Sequence, residues 1–469
     1  MFHLFRRVLA SAVLLSLLGA GCTKGVSQEV AELSKRTDLT IWAVIDDQDV
    51  YGPLLASYRR LHPNVNFTYR RLRLEEYEDA LVQALAEDRG PDIFLVHNDW
   101  VGKYLSKIVP MPATTKIATQ TIVGTVQKEM VWVASDEPTM LIRDFKSDYA
   151  DVVQRDLLRM TNVGTPEKPL YQERPMGLAT TVDTLALYYN KDLMNAAGIP
   201  NPPETWTQFL ENVKKLTKVD SAGVIRQSGA AMGLASNVER YTDILSVLMM
   251  QNGAEMSTES GEPAYQILPA SLEGIRDVPP SWQAVQFYTD FANQTKEAYT
   301  WNASMPNSLD AFIQGRTAYF LGYSYHLPQI RASAPKLNFG TSKLPQIEGN
   351  PIRNYANYWV WVVSKKSKSQ DYAWNFLNYA VSAENLPTVL TATKRPSARK
   401  SLLSSQLNDE DVGVFASQVL TARSWYHGAN PKAVDDAFAE LINNVVNGTL
   451  PIAEAVNFSV DKIGQTNMP

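Results

Sequence analysis

The first regular pattern runs from Leu39 to Ile45, an apolar stretch too short for a helix and rich in β-branched residues, which reads as a buried strand. Asp46, Asp47, Gln48 and Asp49 interrupt it, and Leu54, Leu55, Tyr58 and Leu61 then fall on one side of a helix over residues 51–61. His62-Pro63-Asn64 turns the chain into a second strand from Val65 to Tyr69. A helix over 74–87 follows, burying Tyr77, Leu81 and Leu85, and Gly90-Pro91 stops it. Asp92 to Val96 is a third strand, ending in His97, Asn98, Asp99 and Trp100. Alternating strands and helices predict a mostly parallel sheet with helices on both faces. In such sheets ligands sit outside the carboxyl ends of the strands, which makes the loops 46–49 and 97–100 candidate ligand loops.

From Ala113 to Arg143 the pattern weakens into a Thr- and Val-rich stretch that reads as an insertion without an assigned function. A helix over 148–160 is expected to begin a crossover into a second lobe. There, Thr184 to Tyr189 reads as a buried strand, and Asn190 caps a helix over 191–197 that Gly198, Pro200, Pro202 and Pro203 end. Thr205 caps the next helix, with Phe209, Leu210, Val213 and Leu216 on one face. Strands over 229–235, 317–321 and 357–364 follow, with helices over 242–251, 281–297, 307–315, 372–380, 434–446 and 452–463. Two further loops at strand ends, 236–241 and 322–326, carry polar and aromatic groups.

Length and composition extend this picture. With 469 residues, 45% of them hydrophobic, the chain can bury two cores, because single cores stop growing beyond roughly 250–300 residues. The net charge of −5 and the absence of any long Lys/Arg run exclude nucleic acid as a partner. At the start, Arg6 and Arg7 precede an apolar run from Val8 to Leu18 and then Gly19-Ala20-Gly21-Cys22, the layout of a secretory signal. Cys22 is the one cysteine in the sequence, so it has no intramolecular disulfide partner, and its use is chemical. The segment resembles a bacterial lipoprotein signal with cleavage before Cys22 and lipidation of its sulfur, although Gly19 stands where such signals usually have Leu. Residues 1–22 are accordingly read as signal and 23–37 as a polar tether. No other segment reaches the ~18 apolar residues a spanning helix needs.

The order of strand, Tyr189-Asn190-Lys191-Asp192, Gly198-Ile199-Pro200, Pro202-Pro203-x-Thr205-Trp206 and helix resembles the family 1 extracellular solute-binding proteins, the maltose-binding-like receptors of ABC importers. Gly90-Pro91-Asp92-Ile93, then Asn98-Asp99, Gly102 and Tyr104 fit the same resemblance, as does Ala311-Phe312-x-x-Gly315-x-x-Ala318 with its aromatic turn. The resemblance implies an α/β, two-lobed periplasmic-binding-protein fold of type II, hinged between lobes. Residues 38–155 and 305–350 are expected in the first lobe, 156–304 and 351–469 in the second. It further implies a monomeric, non-enzymatic, extracytoplasmic receptor, lipid-anchored at Cys22. Such a receptor needs no cofactor and passes a small solute, most often a carbohydrate, to ABC permease subunits.

A sugar presents hydroxyls at its edge and weakly apolar C–H faces, so its site needs planar polar groups and aromatic rings. Strand-end loops supply Asp46, Asp47, Gln48, Asn98, Asp99 and Glu239 as polar candidates, with Trp100, Tyr241, Tyr323, Tyr325 and Trp425 as rings. Glu239 and Tyr241 stand where the resemblance puts an acidic group and a ring. Tyr355, Tyr358 and Trp359 are bulky where the family has small residues, so they either narrow the cleft or stack on the ligand; Tyr358 joins the candidate set. The rival readings are a sensor or scaffold lipoprotein of the same fold and a surface glycosidase, but no carboxylate spacing selects a catalytic pair. Gly322-x-Ser324 lacks the second glycine of a nucleophile elbow, and Ser397-x-x-Lys400 lacks its partner motifs. Asp47-Gln48-Asp49 lacks the later ligands of a calcium loop, and five scattered histidines give no metal site.

Overall fold

The computed structural model describes residues 27–466 except Val126, so Cys22 and the expected signal lie outside the described residues. Where a tether was expected, the chain instead opens with helix α1 (Gln28–Leu33), capped by the Ser27 side chain. The Leu33 carbonyl at its end accepts from Tyr372 Oη at 2.7 Å and Asn64 Nδ2 at 3.1 Å. Residues 27–37 are therefore docked on the first lobe, because side-chain donors meet a carbonyl that a helix end leaves open.

Strand β1 (Thr37–Ala43) lies between β2 (Val65–Arg71) and β3 (Ile93–His97), all parallel, with helices α2 (Gln48–Leu61) and α3 (Leu74–Ala86) as the crossovers. Leu54, Leu55, Tyr58, Tyr77, Leu81 and Leu85, which the helical spacing selects, are buried, whereas Leu61, selected with them, is exposed at the end of α2. After α4 (Val101–Tyr104) and β4 (Ile108–Val109), the stretch read as an insertion is one antiparallel ribbon, β5 (Thr114–Val123) and β6 (Glu129–Pro138). The helix expected over 148–160 is two short ones, α5 (Ile142–Asp148) and α6 (Asp151–Leu157), because Tyr149 and Ala150 are extended. A second ribbon, β7 (Leu158–Asn162) with β8 (Tyr171–Pro175), and β9 (Leu178–Ala179) still belong to the first lobe.

The chain crosses at β10 (Asp183–Thr184): Val182 packs in the first core and Leu185 in the second. The strand expected over 184–189 is thus broken at Leu185, and β11 (Ala186–Asn190) begins the second lobe. Asn190 caps α7 (Lys191–Ala196) by accepting from the Leu193 amide, Gly198 takes φ +68°, and Thr205 caps α8 (Trp206–Leu216). Next come β12 (Lys218–Val219), β13 (Ile225–Ala230), α9 (Tyr241–Gln251), α10 (Pro280–Asp290) and α11 (Ser308–Ile313). The lobe continues with β14 (Thr317–Gly322), α12 (His326–Ser333) and β15 (Phe339–Lys343). The second sheet runs β12-β13-β14-β11-β15, so residues 305–350, expected in the first lobe, build the second. Phe312 and Phe320 pack on Tyr188 there.

A second crossing, β16 (Asn354–Asn357), returns the chain to β17 (Trp359–Ser364), which inserts beside β3 and gives the first sheet the order β2-β1-β3-β17-β4. Val360, Val362 and Val363 are buried in that core, as are Trp374 and Phe376 of α13 (Gln370–Ala380) and Val389 of α14 (Leu386–Thr393). Residues 359–393, expected in the second lobe, therefore belong to the first. The third crossing, β18 (Ala422–Arg423), leads to α15 (Pro431–Val446) and α16 (Ile452–Gly464), which complete the second lobe. Both sheets are mixed rather than mostly parallel: β17 enters from the hinge end and so runs antiparallel to β3.

All three crossings pair in one small sheet, β10-β16-β18, which is the hinge. Beside it Asp156 of α6 is fully buried. Its carboxylate accepts from Tyr358 Oη at 2.6 Å, His427 Nε2 at 2.9 Å, Asn98 Nδ2 at 3.4 Å and Ser424 Oγ. Ser424 and His427 follow β18, so one carboxylate ties the third crossing to the first lobe. Asp156→Ala strands several buried donors and is expected to cost about 3 kcal/mol, with Asp156→Asn milder, as read from urea unfolding followed by tryptophan fluorescence.

Candidate ligand cleft

Between the lobes lies a cavity of about 690 Å³. The first lobe contributes His97, Asp99, Trp100 and Lys103 to it, from the carboxyl end of β3 and the start of α4. The second crossing supplies Tyr355 and Asn357, and the start of β17 supplies Trp359. The second lobe contributes Arg240, Thr242, Asp243, Tyr325, Trp425, Tyr426 and Asp435. The lobes approach closely at one edge: a Cβ on Gly102 would sit 2.0 Å from the His427 carbonyl oxygen, so this position of α4 admits only glycine without a shift of backbone.

Trp359 meets Trp100 edge-on at 5.3 Å and 76°, and His97 at 5.3 Å, giving an aromatic corner on the first-lobe side. His97 Nδ1 is hydrogen-bonded to Asp99 Oδ1. Burial alone would lower the His97 pKa, but the Asp99 carboxylate outweighs it, and the imidazole is held above its ordinary value. Burial would likewise lift Asp99; charge and hydrogen bonding from His97, with charge from Arg240 across the cleft, hold it below the ordinary carboxylate range.

Arg240 sits at the N-cap of α9 with φ +58° and ψ +29°, a left-handed conformation that is costly for a residue with a side chain. Its Nε donates to Asp243 Oδ2 at 2.7 Å, and its guanidinium lies 5.6 Å over the Tyr323 ring. Tyr323 Oη donates to the same carboxylate oxygen at 2.6 Å. Burial opposes the Arg240 charge, but Asp243 and its neighbours keep the pKa well above the ordinary value. Asp435, accepting from Thr242 Oγ1 at 2.7 Å, has a raised pKa, from burial first and then from the charge of Asp243.

Of the sequence candidates, Asp99, Trp100, Tyr325 and Trp425 line this cavity together. Asp46 and Tyr358 line a smaller adjoining recess, where Asp46 pairs with Arg395 at 2.9 Å. Asp47 and Gln48 are exposed, and Asp47 pairs with Arg71 at 2.7 Å. Asn98 is buried against Asp156, and Tyr323 is fully buried beneath the wall. Glu239 accepts from His326 Nε2 at 3.1 Å; His326 Nδ1 takes the Tyr323 amide, which fixes the tautomer. Tyr241 donates to the Asp435 carbonyl at 2.9 Å. Tyr355 and Trp359, read from sequence as rings that narrow the cleft or stack on the ligand, line it, whereas His97, Arg240, Asn357 and Asp435 were not selected from sequence. Period-two alternation would have added Asn357, which shares one side with Tyr355 and Trp359, and removed Tyr358, which faces Asp156.

The His97–Asp99 pair gives a pH-dependent coupling. The Asp99 contribution is present above its unfolded pKa and lost as pH falls through its depressed folded value. The His97 contribution is present below its unfolded pKa and lost as pH rises through its raised folded value. The coupling in a His97→Gln, Asp99→Asn double-mutant cycle is therefore expected to be on the order of 1 kcal/mol between about pH 4 and 6.5 and to fall away as pH rises through the raised folded His97 pKa, as measured by denaturation at each pH.

Comparison with known proteins agrees with this architecture. The model of the bacterial extracellular solute-binding protein family matches residues 37–386. A Brucella abortus binding protein is 24% identical over 210 residues, 43% of this chain and 46% of its own length, so the chain spans about half of that relative. The galactooligosaccharide-binding protein of Bacillus subtilis is 20% identical over 396 residues, 84% of this chain and 80% of that one. The cyclic α-maltosyl-1,6-maltose binding protein of Arthrobacter globiformis superimposes with a TM-score of 0.70 at 17% identity, over 92% of this chain and 98% of that chain, a likeness of fold. Carrying that two-lobed fold and matched by the family model from residue 37 through the first two crossings to residue 386, the chain belongs to the bacterial extracellular solute-binding proteins.

Proposed function

We propose that this protein is the extracytoplasmic receptor of an ABC importer and binds a neutral oligosaccharide between its lobes. One observation carries the choice of solute: the cations on the cavity wall are already matched to carboxylates. Arg71 pairs with Asp47, Arg73 with Glu76, Lys103 with Glu78, Arg240 with Asp243 and Lys432 with Asp436. An anionic solute would have to displace one of these partners. A neutral sugar needs only hydroxyl partners, which Asp99, Asp435 and Asn357 offer, and ring faces, which Trp100, Trp359, Tyr355 and Trp425 offer.

The sugar-binding names of relatives support the same reading. Ligand contacts on both lobes would favour the closed form by their differential affinity, and the closed form would be the one presented to permease subunits. No bond is broken on this chain, and it acts as a monomer without a cofactor. Among the described residues no helix is long and apolar enough to cross a membrane. Attachment is assigned to a lipid on Cys22, as the name of a pneumococcal lipoprotein relative supports.

The test is calorimetric titration with a panel of maltooligosaccharides and galactooligosaccharides, alongside anionic sugar phosphates. At least one neutral oligosaccharide is expected to bind, with Trp100→Ala and Trp359→Ala each weakening it by about 1–2 kcal/mol, roughly five- to thirtyfold. Binding of sugar phosphates alone would refute the neutral-ligand reading.

A further inference from the structure

The ribbon β5–β6 is anchored at its base and unpartnered beyond it. The Ala118 amide donates to Tyr372 Oη at 2.9 Å, Asn375 Nδ2 donates to Thr115 Oγ1 at 3.2 Å, and Ile117 packs in the first core. Past Ala118 these ties end. Among the described residues, none of 119–133 belongs to a hydrophobic core or makes a hydrogen bond or ion pair outside the ribbon.

This outer half is apolar on both faces. No charged residue stands between Lys116 and Lys128, or between Glu129 and Asp136. The register sets Ile122 directly opposite Met130 with Trp132 on the same face, while Val123, Val131 and Val133 share the other. Ile122 is 60% exposed, Met130 62% and Val123 41%. A protein partner covers one face of a ribbon, whereas an apolar medium surrounds both, so the two-sided pattern selects a bilayer. The chain before α1 agrees with that choice. α1 packs across both strands, with Glu29 paired to Lys116 at 2.7 Å. Cys22 stands five residues before Ser27, within about 18 Å of it at full extension. Val123 lies about 17 Å beyond Ala118 along β5, so a bilayer holding a lipid on Cys22 is within reach of the ribbon tip.

We propose that the outer half of β5–β6 is a second membrane contact, seated at the boundary of headgroups and acyl chains beside the Cys22 lipid. It rests on the reading of Cys22 as the attachment point. Ile122, Val123 and Met130 enter the apolar layer, and Trp132 sits at the interface, which suits a ring with one polar N–H. The unpaired outer edges of a two-stranded ribbon limit the depth, because hydrocarbon offers backbone groups no partner. Two contacts in place of one fix how the first lobe, and with it the cleft, faces the membrane.

The experiment uses the full chain as the cell processes it, reconstituted on phosphatidylcholine vesicles, which carry no net charge and so isolate apolar insertion. Acylation of Cys22 leaves no free thiol, so Val123→Cys takes an environment-sensitive fluorophore at one place; Ile275→Cys, 75% exposed on the second lobe, is the control. A severalfold rise in emission on vesicles is expected at 123 and none at 275, and Met130→Asp in the chain labelled at 123 is expected to abolish it. Unchanged melting temperature and sugar titration verify that Met130→Asp leaves fold and cleft intact, which keeps this outcome distinct from the sugar reading. No rise at 123, or a rise that survives Met130→Asp, overturns the proposal. Dimerisation in lipid-free sedimentation that Met130→Asp removes also overturns it, by assigning the ribbon to a second copy. If the mass of the purified chain shows no acyl group, the attachment reading fails by itself. The same labels in Cys22→Ala, read on added vesicles, then decide the ribbon: a rise at 123 upholds it and no rise overturns it.

Discussion

The gathering of three crossings into one short sheet is the constraint on which everything else in this molecule rests. β10, β16 and β18 each carry the chain between cores, and pairing them gathers the covalent links between the lobes into one narrow strip. Buried carboxylates flank that strip. Asp156 gathers donors from the second and third crossings and from the loop after β3. Asp183, in the first crossing, accepts from the Ser324 amide at 2.9 Å and hydroxyl at 2.6 Å and from the Thr184 amide at 2.9 Å. Burial raises the Asp183 pKa against these bonds. A buried carboxylate is costly unless its oxygens are satisfied, so each makes the local geometry specific.

The cleft follows from that hinge. Ser324, held on Asp183, begins the turn in which His326 grips Glu239 and Tyr325 reaches the cavity. Arg240, one residue on from Glu239, is thereby set in its left-handed cap with its charge toward His97 and Asp99. The second crossing passes directly into the floor as Tyr355, Asn357 and Trp359. Rotation about the hinge therefore moves the Arg240 and Trp425 wall relative to the Trp100 wall while the floor stays with the axis. Tyr355 and Asn357 belong to the cleft floor and to the crossing sheet at once.

Much of the fold was legible in the sequence because its signals are local. Helix spacing selected the buried faces of α3 and α8 and, apart from the exposed Leu61, of α2, while Asn190 and Gly198 bound α7 and Thr205 starts α8 as read. The assignment of segments to lobes was not legible, because it depends on which distant strands pair: β14 reads as a strand wherever it goes, and only its place between β13 and β11 puts it in the second lobe. The cleft was legible where a strand end alone positions a side chain, as for Asp99, Trp100 and Tyr325. It was obscured where a tertiary partner claims the group, as Arg395 claims Asp46 and Asp156 claims Tyr358. His97 and Arg240 escaped because their roles come from charges on opposite lobes.

The central claim is that one solute is held by both lobes at once, across the hinge. Hydrogen exchange with and without a saturating oligosaccharide tests it most directly, since amide protection reports local opening segment by segment. The account predicts protection appearing together on the first lobe at 97–103, on the second lobe at 239–243 and 425–435, and along the floor at 355–359. Protection confined to one lobe, or lying away from these segments, would contradict it.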